Sequence, residues 1–277
     1  MNCRRFQLKP MDLGQQFEGQ GYVVLNKIFE KNEIDQITHI VDRIYGQWRE
    51  ENHHALVEQQ LINMHSLTHP KYFADHSHER LQFFNLMASA KLTEALECMS
   101  GREIYFHNTQ LFFNPYQNGK QPYWHRDLQY SPIDDAVQAA EQHNMLSLHA
   151  RIPLVAEKGV ELIPKSHIRW DTALERNVRF ELNGHQNHES LPDSVLIELE
   201  PGDVLIFSAQ MIHRGNYALN PVRKALDLCL GSPHPLVSGF LDAAGLPSDQ
   251  ELEQIDNHQW YTLAKCVSAN TVANTIG

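Results

Sequence analysis

Residues 195–207 give the clearest indication of the fold, and they read VLIELEPGDVLIF. Residues 195–199 alternate aliphatic side chains with other residues, which is typical of a strand with one buried face. The Glu200-Pro201-Gly202-Asp203 sequence that follows predicts a tight turn. The apolar run at 204–207 then predicts a second strand, so this stretch indicates two short strands joined by a turn.

Other short strands are predicted around this pair. Apolar and aromatic runs predict strands at 21–25, 104–114, 146–154, 159–163 and 225–230. Apolar residues at three- and four-residue spacing predict an amphipathic helix beginning at an Asn32 N-cap, and a second helix at 79–99. Helices followed by closely spaced strands favour a mainly β fold, an antiparallel barrel or jelly roll buttressed by N-terminal helices.

No linker-like stretch divides the 277 residues, so the sequence predicts a single domain over 1–277. Within it we expect a helical buttress and opening strand at 1–103, a β core at 104–231 and a C-terminal tail or lid at 232–277. A helix capped by Ser248 is expected in that tail.

Composition excludes several classes of partner. The formal net charge is −11, and no segment concentrates Lys or Arg. Nucleic acid and anionic membrane surfaces bind through clustered cations, so neither is expected as a partner. The four cysteines form no Cys-x-x-Cys pair and no secretory signal precedes them, which predicts a protein of the reducing cytoplasm. The sequence carries no signal of oligomeric state.

The first chemical motif is His125-Arg126-Asp127. In a strand, residues two apart share a face, so the imidazole of His125 and the carboxylate of Asp127 could bind one ion from the same side. With 17 histidines in the chain, a single His-x-Asp is expected by chance. Alone, the motif fits a histidine beside a salt-bridged aspartate better than a metal site.

A second set of residues changes that balance. The strand at 204–207 leads to His213, and Arg223 follows ten residues later, at the start of the last strand. Two imidazoles and one carboxylate leave three positions of a metal open, which suits Fe(II) enzymes that bind a chelating co-substrate and O₂. A guanidinium gives the far carboxylate of 2-oxoglutarate a permanent bidentate partner. The plainer interpretation of Arg223, a strand-end surface residue, is disfavoured by its spacing from His213.

Several segments resemble those of the phytanoyl-CoA hydroxylase-like (PhyH) family of Fe(II)/2-oxoglutarate-dependent dioxygenases, over Phe17 to about Gly231. The similar segments are 17–25, 110–115, 124–132 and 158–167, with Gly202-Asp203, His213 and Arg223. The resemblance implies a double-stranded β-helix, a jelly-roll or cupin-like fold, that binds Fe(II), 2-oxoglutarate and O₂. It implies hydroxylation of a small-molecule metabolite with release of succinate and CO₂.

The resemblance also implies roles for individual residues. His125, Asp127 and His213 correspond to the iron ligands, Arg223 to the co-substrate arginine, and Gln110 to a polar residue near it. Asp127 is the carboxylate that related halogenases lack, so the resemblance implies a hydroxylase. Three departures concern co-substrate contacts, namely Lys165 for the usual glycine, Gly215 where relatives often carry a hydroxyl, and Asn114 for a common lysine.

The substrate-binding residues are less clearly marked. Arg151 in a strand could bind an anionic substrate if it points inward, while an outward side chain would only be solvated. Trp124 and Tyr130 flank the iron motif and fit pocket lining and core packing equally well. His167 is expected to be a hydrogen-bonded structural histidine. A further cluster, His65, His69, His76 and His78, is expected at the surface.

Other functions stay open at this point. A catalytically silent β barrel could use the same cavity to bind a metal or small molecule. A cupin-type isomerase or hydrolase with another divalent metal would not require Arg223. A nucleic-acid demethylase of the same chemistry does not fit the acidic charge balance.

Overall fold

A computed structural model describes residues 13–101, 103–117 and 119–276. Its strands form two antiparallel sheets, one of six strands in the order β1-β7-β4-β9-β3-β2 and one of three in the order β6-β5-β8. The strands are β1 Tyr22–Leu25, β2 Asn63–His65, β3 Tyr105–Phe113, β4 Ser147–Pro153, β5 Glu157–Leu162, β6 Val195–Leu199, β7 Val204–Ser208, β8 His213–Arg214 and β9 Lys224–Gly231. This arrangement confirms the jelly-roll, cupin-like prediction.

Helices contain more of the described residues than strands do, so "mainly β" describes only the central sheets. The helices are α1 Leu13–Gln20, α2 Lys31–Glu51, α3 His53–Glu58, α4 Ser77–Met87, α5 Ala90–Ser100, α6 Asp135–Glu141, α7 Ala173–Arg179, α8 Asp249–Leu252 and α9 Gln259–Ile276. Among the described residues, none of these helices is both long and apolar enough to cross a membrane.

Side-chain alternation gives the six-stranded sheet two different faces. On β9, Leu226, Leu228 and Leu230 join the large core that also contains side chains of the N-terminal helices. The residues between them, Asp227 and Cys229, line a cavity on the other face. A smaller apolar cluster between the sheets includes Leu205 and Phe207 of β7. Period-two alternation therefore buries one face of β9 in the large core and leaves Asp227 and Cys229 on the other, whereas β7 is apolar on both faces.

Two helix predictions are corrected by the local hydrogen bonds. The N-cap of α2 is Glu30 and not Asn32, because the backbone N–H of Glu30 donates to the Glu33 carboxylate at 2.7 Å. The single helix expected at 79–99 is two helices, since the Ser89 hydroxyl accepts the backbone N–H of Leu92 and starts a new helix.

The C-terminal segment covers the helical side of the large sheet. Ser248 caps α8, as predicted, by accepting the backbone N–H of Glu251 at 3.2 Å. In α9, the Tyr261 ring packs 5.2 Å from the Phe106 ring of β3, and its hydroxyl donates to the Phe84 carbonyl at 3.2 Å. Helix α9 thus packs against the core on the helical side of the sheet, while Gly239 and Phe240 of the same C-terminal segment line the cavity.

Candidate active site

His125, Asp127 and His213 are brought together by a short antiparallel bridge. The backbone N–H of His125 donates to the His213 carbonyl at 3.0 Å, and the reverse bond is 2.9 Å. The sequence predicted that Asp127 lies on a strand, but it is the first residue of a 3₁₀ turn at 127–130. Its backbone N–H donates to the Ala209 carbonyl, which fixes the start of the turn. In the His125-Arg126-Asp127 motif, the bridge to His213 therefore positions His125 and the 3₁₀ turn positions Asp127.

The three side chains offer ligand atoms that all lie within 4.8 Å of one another. Asp127 Oδ1 is 3.3 Å from His213 Nε2 and 3.6 Å from His125 Nε2. The Nδ1 atoms lie 3.1 Å from the Tyr123 carbonyl and 3.0 Å from the Met211 carbonyl. Because a carbonyl only accepts, each Nδ1 carries the proton and each Nε2 turns a lone pair toward Asp127. This donor set fits one divalent cation.

His149, which the sequence did not single out, orients the Asp127 carboxylate. Its Nε2 lies 2.7 Å from Asp127 Oδ2, and its Nδ1 lies 3.2 Å from Asp227 Oδ2. Carboxylates accept hydrogen bonds, so this imidazole donates on both sides. The bond to Oδ2 leaves Oδ1 of Asp127 facing the two histidines.

Arg223 is held by a buried network of charges. Its Nε donates to Glu157 Oε1 at 2.7 Å, and Arg151 donates to both oxygens of the same carboxylate at 2.7 and 3.0 Å. Arg151 also donates to Asp227 Oδ1 at 2.8 Å. Although burial acts in the opposite direction, the two arginines lower the pKa of Glu157 to about 2. The Nη1 atom of Arg223 is buried and has no partner among the described residues.

These groups line a cavity of about 600 Å³. The three metal-ligand candidates, Arg223, Gln110, Tyr130 and Arg151 all line it, but Trp124 does not. The Trp124 ring is buried in a separate apolar cluster, where its N–H donates to the Glu189 carbonyl at 2.8 Å. Tyr130 is 62% exposed, which places it at the mouth of the cavity.

Several cavity residues were missed or misread in the sequence. His65, expected at the surface, is exposed but lies on β2 and lines the cavity together with His107, His149 and Asp227. One signal was available on β4, where the polar residues Ser147, His149 and Arg151 alternate with apolar ones. Such positions point to the same face, which indicates a polar interior.

Two residues of the 158–167 segment have structural roles. Lys165, at the usual glycine position, has a φ of +66°, a left-handed conformation that glycine adopts without a steric cost. His167 lies 3.2 Å from the Glu18 carbonyl through Nε2, in keeping with the structural role expected for it.

Comparison with known proteins places the chain in a family. Residues 17–224 match the phytanoyl-CoA dioxygenase (PhyH) family, which is most of the chain. The chain belongs to the phytanoyl-CoA dioxygenase family. The resemblance noted from the motifs is thereby confirmed, as is the assignment of the chain to the dioxygenases.

Individual relatives of this PhyH-family chain are distant. An ectoine dioxygenase from Sphingopyxis alaskensis is 23% identical over 229 residues, covering 76% of this chain and 71% of the relative. The structure of EctD from S. alaskensis with 2-oxoglutarate and 5-hydroxyectoine has a TM-score of 0.53 at 19% identity, covering 79% and 74% of the two chains. HygX from Streptomyces hygroscopicus, solved with nickel and 2-oxoglutarate, has a TM-score of 0.56 at 13% identity, covering 78% and 84%. These likenesses support the same fold.

Gly215 allows the Arg223 guanidinium to occupy its place in this PhyH-family site. A Cβ at Gly215 would lie 2.9 Å from both Nη1 and Nη2 of Arg223. Because Glu157 holds the Nε of Arg223, we expect Gly215→Ala to tilt the guanidinium and raise the KM for 2-oxoglutarate roughly tenfold, about 1.4 kcal/mol. Gly239→Ala is a matched control, since Gly239 also lines the cavity but has no atom within 4 Å of its added Cβ. An equal KM for both variants would contradict this role of Gly215.

His107 gives the protein an acid-sensitive stability. Burial, with a smaller effect from the nearby His149, lowers the pKa of His107 from 6.5 to about 3. In the unfolded chain His107 binds a proton near pH 6.5, whereas in the folded chain it binds one only near pH 3. The free energy of unfolding therefore falls as the pH decreases between these values. Between pH 7.5 and pH 5 we expect the free energy of unfolding of His107→Phe to fall by about 2 kcal/mol less than that of the wild type.

Denaturant unfolding at the two pH values measures this difference. His78→Phe, at an exposed histidine of α4, is the control and should follow the wild type. A wild type and a His107→Phe variant that lose the same stability on acidification would show that His107 is protonated in the folded protein.

Proposed function

We propose that this chain hydroxylates a small-molecule metabolite and depends on Fe(II) and 2-oxoglutarate. We assign the iron to His125, Asp127 and His213, and the far carboxylate of 2-oxoglutarate to Arg223. The observation that carries the proposal is the meeting of two Nε2 lone pairs with Asp127 Oδ1 inside the cavity that Arg223 also lines. Relatives described with bound iron and with bound 2-oxoglutarate support the same cofactors.

The donor set fits Fe(II) better than a structural zinc ion. A structural zinc site is closed by four ligands, whereas two histidines and one carboxylate leave positions for a chelating co-substrate and O₂. When bound, iron, 2-oxoglutarate and O₂ would supply oxidising chemistry, in which one oxygen atom of O₂ enters succinate as 2-oxoglutarate loses CO₂ and the other enters a substrate C–H bond as a hydroxyl group.

The co-substrate fits the free side of Arg223. Glu157 occupies the Nε atom of Arg223, while the buried Nη1 has no partner among the described residues. An unpaired buried donor is costly, and a carboxylate is the partner that a guanidinium binds best. Gln110 lines the same cavity and supplies a polar side chain, although its amide lies 3.4 Å from the Cys229 thiol.

The protein contributes the orientation of the metal ligands and of Arg223. His149 fixes the direction of the Asp127 carboxylate, and the carbonyls of Tyr123 and Met211 fix the two imidazole rings. The buried ion pairs around Glu157 hold Arg223 in place before a ligand arrives. Such pre-organisation is the main share that a protein has in a cofactor-dependent reaction.

The direct test is spectroscopic. Fe(II) and 2-oxoglutarate added without oxygen should give the protein a weak visible charge-transfer band. A folded wild-type protein that binds both components without this band would contradict the assigned site.

Two further measurements separate the competing functions. Release of succinate that depends on an added metabolite distinguishes an oxygenase from a silent β barrel that only binds a small molecule. An isomerase or hydrolase using another divalent metal would keep its activity in Arg223→Ala, whereas the proposed oxygenase would lose it.

A further inference from the structure

The β2–β3 side of the cavity carries polar side chains that neither the metal site nor the co-substrate site uses. Asn63 of β2 and His107 and Asn108 of β3 line this side, and we call them the polar wall. Aromatic side chains of Tyr123, Tyr217 and Phe240 line the same cavity. The polar wall thus lies where a third molecule, the substrate, would bind under the proposed function.

A bulge in β3 brings two consecutive residues of the polar wall to the cavity. The pairing of β3 with β9 shifts register between Phe106 and Asn108, so His107 is the extra residue. In a regular strand, His107 and Asn108 would point to opposite faces, but both line the cavity. Bulges re-aim side chains in this way beside active sites.

His107 is fully buried, yet neither of its ring nitrogens has a hydrogen-bond partner among the described residues. Its nearest aromatic neighbour is Tyr105, with ring centroids 4.3 Å apart, and this contact satisfies neither nitrogen. A buried polar group without a partner costs stability, so an imidazole kept at this place calls for a functional explanation. A ligand in the cavity provides that explanation.

The charged groups of the cavity are already paired with one another. Arg151 is bonded to Glu157 and Asp227, and Asp127 and Asp227 are both bonded to His149. The remaining donor, Nη1 of Arg223, is assigned to 2-oxoglutarate by the proposed function. Among the described lining residues, no charge is left for the substrate.

The polar wall itself is neutral near pH 7. Asn63 and Asn108 carry amides, and burial lowers the pKa of His107 to about 3. A neutral imidazole offers one N–H donor and one lone pair. The Asn63 NH₂ group donates to Gln110 Oε1 at 3.1 Å, which leaves its carbonyl oxygen as an acceptor. Asn108 Oδ1 accepts the Thr109 N–H at 2.7 Å, which leaves its NH₂ group as a donor. A hydroxyl group, which donates once and accepts twice, complements such a surface.

We propose that the polar wall binds an uncharged, hydroxyl-bearing substrate, and that His107 selects it by donating one hydrogen bond and accepting another. The proposal rests on the function proposed above. Aromatic rings in the cavity would pack against the C–H faces of such a molecule, as they do for amphipathic ligands generally. A carboxylate or ammonium group on the substrate would enter desolvated and without an ionic partner.

Binding to protein loaded with Ni(II) and 2-oxoglutarate tests the proposal without turnover. The probes are hydroxylated ring compounds and short polyols, each in a neutral, an anionic and a cationic form, such as methyl glucoside, methyl glucuronide and methyl glucosaminide. We expect the tightest ligands, measured by calorimetry, to be neutral and at least about tenfold tighter than their charged forms, about 1.4 kcal/mol. A charged form that binds as tightly as its neutral counterpart, or no binding by any neutral probe, would overturn the proposal.

A variant pair tests the role of His107. His107→Phe keeps a planar ring but removes both nitrogens, and should weaken binding of the neutral ligand at least about tenfold while the affinity for 2-oxoglutarate is unchanged. Tyr105→Phe is the matched control. It removes another buried polar group, the Tyr105 hydroxyl, which has no hydrogen-bond partner among the described residues, and Tyr105 does not line the cavity. If His107→Phe fails to fold, Asn108→Leu measures the same loss. Equal affinity of the wild type and the polar-wall variant for the neutral ligand would show that the polar wall does not select the substrate.

The two proposals fail in different ways. Absence of the Fe(II)–2-oxoglutarate band removes the proposed function, whatever the probes do. A normal band with a normal affinity for 2-oxoglutarate, together with a preference for charged probes, removes only the inference about the polar wall.

Discussion

Asp127→Asn should lose iron binding and succinate release together. His149 donates to Asp127 Oδ2, so the oxygen of an asparagine amide would turn to His149 and its NH₂ group would face the two imidazoles. An amide NH₂ has no lone pair for a metal, and the negative charge is also lost. We expect the affinity for Fe(II) to fall by more than the roughly 10–100-fold that loss of an outer-shell partner costs.

Iron content per chain after gel filtration, together with the charge-transfer band, measures this effect. Asp134→Asn is the control, because Asp134 is an exposed aspartate seven residues away at the start of α6. Circular dichroism should show that both variants are folded. One equivalent of iron and a normal band in Asp127→Asn would show that the iron site lies elsewhere.

Glu157→Gln should produce the largest loss of stability. Glu157 is fully buried and bonded to both Arg151 and Arg223, so its neutralisation leaves a buried cation without compensation. Breaking a buried ion pair from one side costs about 3–5 kcal/mol, because the remaining charge stays desolvated. Glu198→Gln is the control, since Glu198 of β6 is exposed and its ion pair with Lys158 is 3.7 Å long.

The same variant tests whether Arg223 receives the co-substrate. The far carboxylate of 2-oxoglutarate would supply a negative charge beside Arg223, and a ligand that binds only the folded state stabilises it. We therefore expect saturating 2-oxoglutarate to reduce the stability difference between Glu157→Gln and wild type in thermal unfolding. A difference that stays constant would place the co-substrate away from this network.

The sequence predicted much of the fold because strand alternation and turn residues are local signals. It predicted His213 and Arg223 through their positions after and before identifiable strands. It placed Asp127 on a strand, whereas the bridge between His125 and His213 ends regular pairing and Asp127 begins a turn. That bridge joins residues far apart in the sequence, so no local pattern announces it.

The support for the site could not be predicted for a related reason. Arg151 lies directly opposite Asp227, and His149 opposite Cys229, only because β4 pairs with β9 in one particular register. A shift of β4 by one residue would send Arg151 and His149 to the face opposite Asp227 and Cys229. The pairing register of two strands so far apart in sequence depends on the packing of the whole sheet, and the local sequence patterns do not predict it. The sequence accordingly left open whether Arg151 points inward to a substrate or outward to solvent, whereas in the structure it points inward and is bonded to two carboxylates.

One unbroken chain of hydrogen bonds runs from Asp127 through His149, Asp227, Arg151 and Glu157 to Arg223. A cation beside Asp127 and the far carboxylate of 2-oxoglutarate beside Arg223 would polarise this chain of hydrogen bonds in the same direction. Loading of either partner should therefore tighten the other, and linkage requires the two enhancements to be equal. Where iron is scarce, we therefore expect this protein to bind 2-oxoglutarate less tightly, by the same factor by which 2-oxoglutarate raises its affinity for iron.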